Sequence, residues 1–178
     1  MNLTDLCPIE KWMELEQQIT RLSGLDANVF DTSGYRITGY KHWANRLCPA
    51  IKNTDKGQSF ICAVAHMNLA TMARETEKTV IEECDAGLVK MVVPIVYNEE
   101  FIGAVGACGM LPDAGEVDDF LVNKVTGIAE ETIRDLSSDL AFITSEKLQS
   151  LADVIEKAIA SILAAHRQKS EKGVKRAE

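Results

Sequence analysis

The sequence predicts an α+β domain: a central antiparallel sheet of about five strands, helices packed on one face of it, and a long C-terminal helix. Three observations carry the prediction. Residues 88–107 set two apolar runs, rich in β-branched residues and glycine, about the polar turn Asn98-Glu99-Glu100, which is the pattern of a β-hairpin. Residues 9–22 and 58–75 place apolar side chains at steps of three and four, the period of a helix. From Ser145 the positions Leu148, Leu151, Ile155, Ala158, Ile162 and Ala165 alternate steps of three and four.

A chain of 178 residues, 46% hydrophobic and 26% charged, is long enough to bury one real core. Its net charge of −8 opposes nucleic-acid phosphates and anionic lipid, so neither nucleic acid nor membrane is expected as a partner. No run approaches the ~18 consecutive apolar residues of a membrane span, and the N-terminus lacks an export signal. A cytoplasmic protein is expected, with Cys7, Cys48, Cys62, Cys84 and Cys108 as reduced thiols rather than a disulfide framework.

In chain order, Ile9, Trp12, Met13, Leu15, Ile19 and Leu22 make the first helix, ended by Ser23-Gly24. Residues 25–39 make a first hairpin about Asp31-Thr32-Ser33-Gly34. Residues 40–57 are irregular. Tyr40, His42, Trp43, Cys48 and Pro49 crowd together there, either lining a pocket or, for Trp43, burying a ring in the core. The helix at 58–75 turns Phe60, Ile61, Val64, Met67, Leu69, Ala70 and Ala73 to one broad apolar face, with Cys62 and His66 four apart on it. A short strand at 77–83 delivers Cys84.

After the hairpin, residues 116–137 read as one helix with Val117, Phe120, Leu121, Val125, Ile128 and Leu136 inward. The acids Asp113, Glu116, Asp118 and Asp119 at its start suit the helix dipole and a solvated face, not a cation site. The helix from Ser145 is either a coiled-coil seam or one helix packed on its own domain, and the basic residues from His166 to Glu178 are expected to fray or link. Hairpin first, helices between, then a three-strand return is the order of PAS and GAF-like sensor folds. That is analogy at the level of fold, and it does not name a ligand.

The chain has no Gly-x-Ser-x-Gly, no phosphate-binding glycine loop, no His-Glu-x-x-His and no Cys-x-x-Cys, and an enzyme is not expected. The constellation with chemistry is Cys48, Cys62, His66 and Cys84, joined by His42 or Cys108. Thiolate and imidazole suit zinc, iron–sulfur or haem iron; thiols also line organic pockets, or pack as small hydrophobes.

One stretch resembles a known family. Cys84-Asp85-Ala86-Gly87-Leu88, the apolar strand ending Pro94-Ile95, the polar turn and the return strand with Gly103, Gly106 and Gly109 are similar to the PocR sensory domain. Val29 to Thr38 resembles that family's opening hairpin, and Cys48 and Cys62 fall where it carries cysteines. The resemblance covers roughly residues 10–112. Asp85 and Met110 depart from it, standing where a histidine and a glutamine are expected.

The resemblance implies a PAS/GAF-like sensor of small hydrocarbon derivatives attached to a signalling output, with Cys48, Cys62 and Cys84 in its pocket. His66, Trp43 and Cys108 are added from their chemistry. The expected division is a sensory domain over 1–140 and a C-terminal helix with a basic tail over 141–178. The expected partners are a small organic ligand, a second copy joined through the terminal helices, and an output protein. The alternative is a metal-, haem- or thiol-based redox or gas sensor using Cys48, Cys62, His66 and Cys84.

Overall fold

The structure, a computed structural model, describes residues 1–174. Its centre is the predicted hairpin, β3 (Val89–Tyr97) with β4 (Glu100–Cys108), flanked by β1 (Asp26–Asp31) and β2 (Val80–Glu83) in the antiparallel order β1-β4-β3-β2. Asn98 and Glu99, both at positive φ, turn the hairpin. Pro94 is accommodated in two ways: the pairing of β2 ends at Val92, and the register shifts between Ile95 and Val96. A separate parallel pair joins β5 (Leu111–Pro112) to β6 (Phe142–Ile143).

The first hairpin keeps only one arm. Its second arm is a single bridge from Arg36 to Phe30, plus a bond from the Ile37 N–H to the Val29 carbonyl at 3.0 Å. The reason lies in the N-terminal helix. The buried Glu16 carboxylate accepts the Val29 N–H at 2.7 Å and the Thr38 hydroxyl at 2.6 Å, so a side chain covers the outer edge of β1 where a strand was expected.

Helices cover both faces of the sheet, where one covered face was expected. On the first face, α1 (Leu3–Leu6), α2 (Ile9–Ser23) and α8 (Ser145–Val174) bring Trp12, Leu15, Ile19, Leu148, Leu151 and Ile155 against Val29, Met91, Val93 and Val105. The heptad-like seam of α8 therefore packs on its own domain as far as Leu163. Periodicity alone does not tell that arrangement from a coiled coil, because both need the same apolar stripe. The helix runs to Val174, so the tail expected to fray from His166 is helical to that point; its end, 175–178, lies outside the described residues.

On the second face lie α3 (Leu47–Lys52), the single turn α4 (Asp55–Gly57), a π-helical segment (Gln58–Ala63) and α5 (Val64–Thr76). Residues expected to be irregular thus include a helix. Leu69 and Ala73 pack on Val92 and Ala104, and Ile61 joins Leu47 and Ile51. Phe60, Val64 and Met67 are exposed instead of inward. The π turn explains this: it holds more residues per turn than an α-helix, so the apolar positions before and after it do not share one face.

The single helix expected over 116–137 is two, α6 (Asp119–Thr126) and α7 (Glu130–Ser137), broken at Gly127, whose φ is +77°. A left-handed glycine is a helix stop. Asp118 caps α6 by accepting the Leu121 N–H at 2.8 Å, and the buried side chains are Val122 and Ile133, while Phe120 points to solvent.

Candidate functional site

Strand alternation places the site. In β1, Ala27 and Val29 enter the core under α2, so Asp26, Asn28 and Phe30 face the other way, toward α5. Across the sheet the register sets Asp26 beside Cys108 and Cys108 beside Lys90; the next row is Asn28, Gly106, Val92, and the next Phe30, Ala104, Pro94. The β4 members of these rows, Cys108, Gly106 and Ala104, are all small. A hollow floor results.

Helices and loops wall it in. Cys62 and Ala63 come from the π segment, His66 from α5, Cys48 and Lys52 from α3, Arg36, Lys41 and Trp43 from the segment after β1, and Cys84 and Leu88 from the turn before β3. The cleft measures about 350 Å³, at the small end for organic ligands. All six predicted residues, Trp43, Cys48, Cys62, His66, Cys84 and Cys108, line it; His42 does not. Trp43 is 41% exposed, with the Lys52 ammonium 5.1 Å from its ring centroid, so it forms a rim and not core.

The turn that delivers Cys84 explains the Ala-Gly-Leu element. The Cys84 N–H donates to the Leu88 carbonyl and the Gly87 N–H to the Cys84 carbonyl, both at 2.8 Å. Gly87 has φ +81°, and a Cβ there would collide with the Glu116 carbonyl. Gly87→Ala is expected to lower stability by about 2 kcal/mol or more, read from the denaturant midpoint; an unchanged midpoint would refute the assignment.

Three side-chain atoms of residues that line the cleft are buried without a hydrogen-bond partner: Asp26 Oδ1, Asn28 Oδ1 and His66 Nδ1. Their residues are 4%, 3% and 7% exposed. Asp26 also pairs with Arg36 at 3.3 Å; burial raises its pKa, against the opposing pull of Arg36 and Lys52. His66 stacks on Phe30 at 3.8 Å between centroids. Burial, with Lys90, Arg36 and Lys52 adding to it, pushes its pKa down to about 3, so the imidazole is neutral near pH 7.

The thiols are protonated for the same physical reason. Burial pushes Cys48 up strongly, helped by Cys108, Cys84 and Cys62 nearby, although Asn45 donates to its Sγ at 3.2 Å. Cys62 is raised to about 11, and Cys84 is raised too. Such thiols are weak nucleophiles. Among the described residues no group of three or more His, Cys, Asp or Glu side chains is arranged to hold a metal ion. The cleft therefore presents small polar walls, not a converging donor set.

The sequence reading missed Asp26, Asn28, Phe30, Arg36, Lys41, Lys52, Gln58 and Lys90 as lining residues. Two signals were there: polar Asp26 and Asn28 alternate with apolar Ala27 and Val29, and Lys90 interrupts an apolar run. A second, wider groove of about 900 Å³ holds Glu83, Asp85, Glu116, Asp118 and Asp119, and meets the first at Cys84. Asp85 belongs to that groove, and Met110 packs against the core on the opposite sheet face. Neither departure from the family pattern lines the cleft.

No helix among the described residues is long and apolar enough to cross a membrane. No curated protein and no solved structure matches the chain. The family model described as the sensory domain found in PocR matches residues 5–167, taking in the sheet, both walls of the cleft and most of α8, and the chain belongs to that sensory-domain family.

Proposed function

We propose that this sensory domain is a non-enzymatic module of prokaryotic signal transduction that binds a small organic ligand in the cleft between sheet and α5, and passes occupancy to its terminal helices. The observation that carries the reading is the cleft itself: a small volume between sheet and helices, lined by Asp26, Asn28 and His66, each with a buried polar atom that has no partner. Buried polar groups without partners are costly, and a ligand that pairs them recovers that free energy.

A route to the helices exists in covalent and hydrogen-bonded terms. Asp26, Asn28 and Phe30 touch the cleft, while Val29 between them is held by Glu16 of α2, and α2 packs on α8. A ligand shifts that packing only by binding one arrangement better than the other. The output protein and a second copy would meet this part of the molecule.

The alternative, a metal-, haem- or thiol-based sensor, is the weaker reading because among the described residues no three His, Cys, Asp or Glu side chains are grouped to hold an ion. A thermal-shift screen of diols, short alcohols and organic acids is expected to find compounds that raise the unfolding midpoint of the wild-type chain. The proposal fails if none does.

A further inference from the structure

Cations gather in this cleft although the chain as a whole is acidic. The net charge is −8, yet Arg36, Lys41, Lys52 and Lys90 line the cleft with Asp26 as its one carboxylate. Arg36 is occupied by Asp26. Among the described residues none of the three lysines has a carboxylate within ion-pair distance.

Lys90 is the most informative of them. It is half-buried on the sheet face that next shows Val92 and Pro94, and its neighbours in register are Cys108 and the exposed Glu82. Glu82 does not close an ion pair with it, which leaves the ammonium free for a ligand's anion. Across Cys108, two strand spacings or about 10 Å of backbone away, stands Asp26. There the need is opposite: the unpartnered oxygens of Asp26 and Asn28 accept hydrogen bonds, and whatever satisfies them must donate.

We infer that the ligand is a small hydroxy acid, its carboxylate held by Lys90 and Lys52 and its hydroxyl donated to Asp26 or Asn28. The inference rests on the sensor reading above and names its ligand class. A neutral diol satisfies the acceptors and leaves the ammonium groups bare. A simple fatty acid does the reverse, capping the lysines while burying the orphan oxygens. A phosphate ester lacks the bidentate guanidinium that suits it best, because Arg36 is already paired with Asp26.

The test uses the full chain and matched three-carbon probes: lactate, glycerate, 1,2-propanediol, propanoate and glycerol 3-phosphate, each followed by calorimetric titration. Lactate or glycerate is expected to bind about tenfold or more tightly than the diol or propanoate, and to weaken as salt is added. Lys90→Met, which keeps the apolar stem, should weaken hydroxy-acid binding about tenfold or more, and Lys90→Arg should retain most of it. A diol or phosphate ester that binds as well as the hydroxy acids, or unchanged affinity in Lys90→Met, overturns the hydroxy-acid assignment and leaves the small-molecule sensor standing. If no probe of any class binds the folded wild type, both readings fall.

Discussion

Replacing Glu16 by leucine is expected to lower stability by about 3 kcal/mol, or roughly 6–12 °C in the unfolding midpoint of a chain this size. The carboxylate is fully buried and both of its oxygens are used, one on the Val29 N–H and one on the Thr38 hydroxyl. Leucine fills much of the volume but leaves the buried amide of a strand edge without an acceptor, the more expensive half of a broken hydrogen bond. Glu16→Gln separates charge from hydrogen bonding. A glutamine accepts from Val29 and donates to Thr38, and burial already raises the Glu16 pKa, so losing the charge relieves a desolvation penalty. The glutamine variant should stay within about 1 kcal/mol of wild type.

The leucine variant has a functional consequence as well. Thr38 lies two residues beyond Arg36, the residue that reaches Asp26 in the cleft, so freeing this arm should also shrink the midpoint shift given by any ligand. A leucine variant as stable and as responsive as wild type would remove Glu16 from the link between cleft and α2.

The second large effect is a loss of stability on acidification, assigned to His66. Its folded-state pKa is about 3 against an ordinary 6.5. Between those values the unfolded chain binds a proton that the folded chain refuses, so stability falls as pH drops from about 6.5 toward 3, by an amount on the order of a few kcal/mol. The cationic neighbours Lys90, Arg36 and Lys52 act in the same sense as burial. Asp26 and Glu16 work oppositely. Their folded pKa values are raised from 3.8 and 4.5, so the stability they withdraw appears as pH rises past those ordinary values.

The difference between wild type and His66→Leu isolates the imidazole, since the carboxylates are common to both. Urea melts at half-unit steps should show the wild type losing stability relative to the variant below pH 6.5. Parallel profiles would mean that the histidine is solvated or differently placed. A bound hydroxy acid should flatten the wild-type profile, because its carboxylate offsets part of the positive field around His66.

Much of this molecule is written in local pattern. The central hairpin follows from two β-branched and glycine-rich runs about Asn98-Glu99-Glu100, the helix α2 from its apolar spacing, and the family from the Cys84 to Gly109 element whose Gly87 has no room for a side chain. Cys48, Cys62, Cys84, Cys108, His66 and Trp43 could be named because thiols, an imidazole and an indole are distinctive groups wherever they stand, and all six meet in one cleft. Local pattern failed where the chain departs from regular periods. The π segment at 58–63 rotated Phe60 and Met67 outward, and Gly127 split a helix that a run of apolar residues seemed to continue.

What only the tertiary structure decided is who stands beside whom. Glu16 replaces a strand at the edge of β1, α8 spends its apolar stripe on its own sheet, and Asp26, Cys108 and Lys90 form one row from residues far apart in the chain. Composition and period constrain what a segment can bury, because burial of apolar surface is nearly indifferent to the identity of the neighbour. Charge pairing and hydrogen bonding depend on distances of a few ångströms, which strand register and helix docking set, and so the chemistry of the cleft became legible only when the chain was folded.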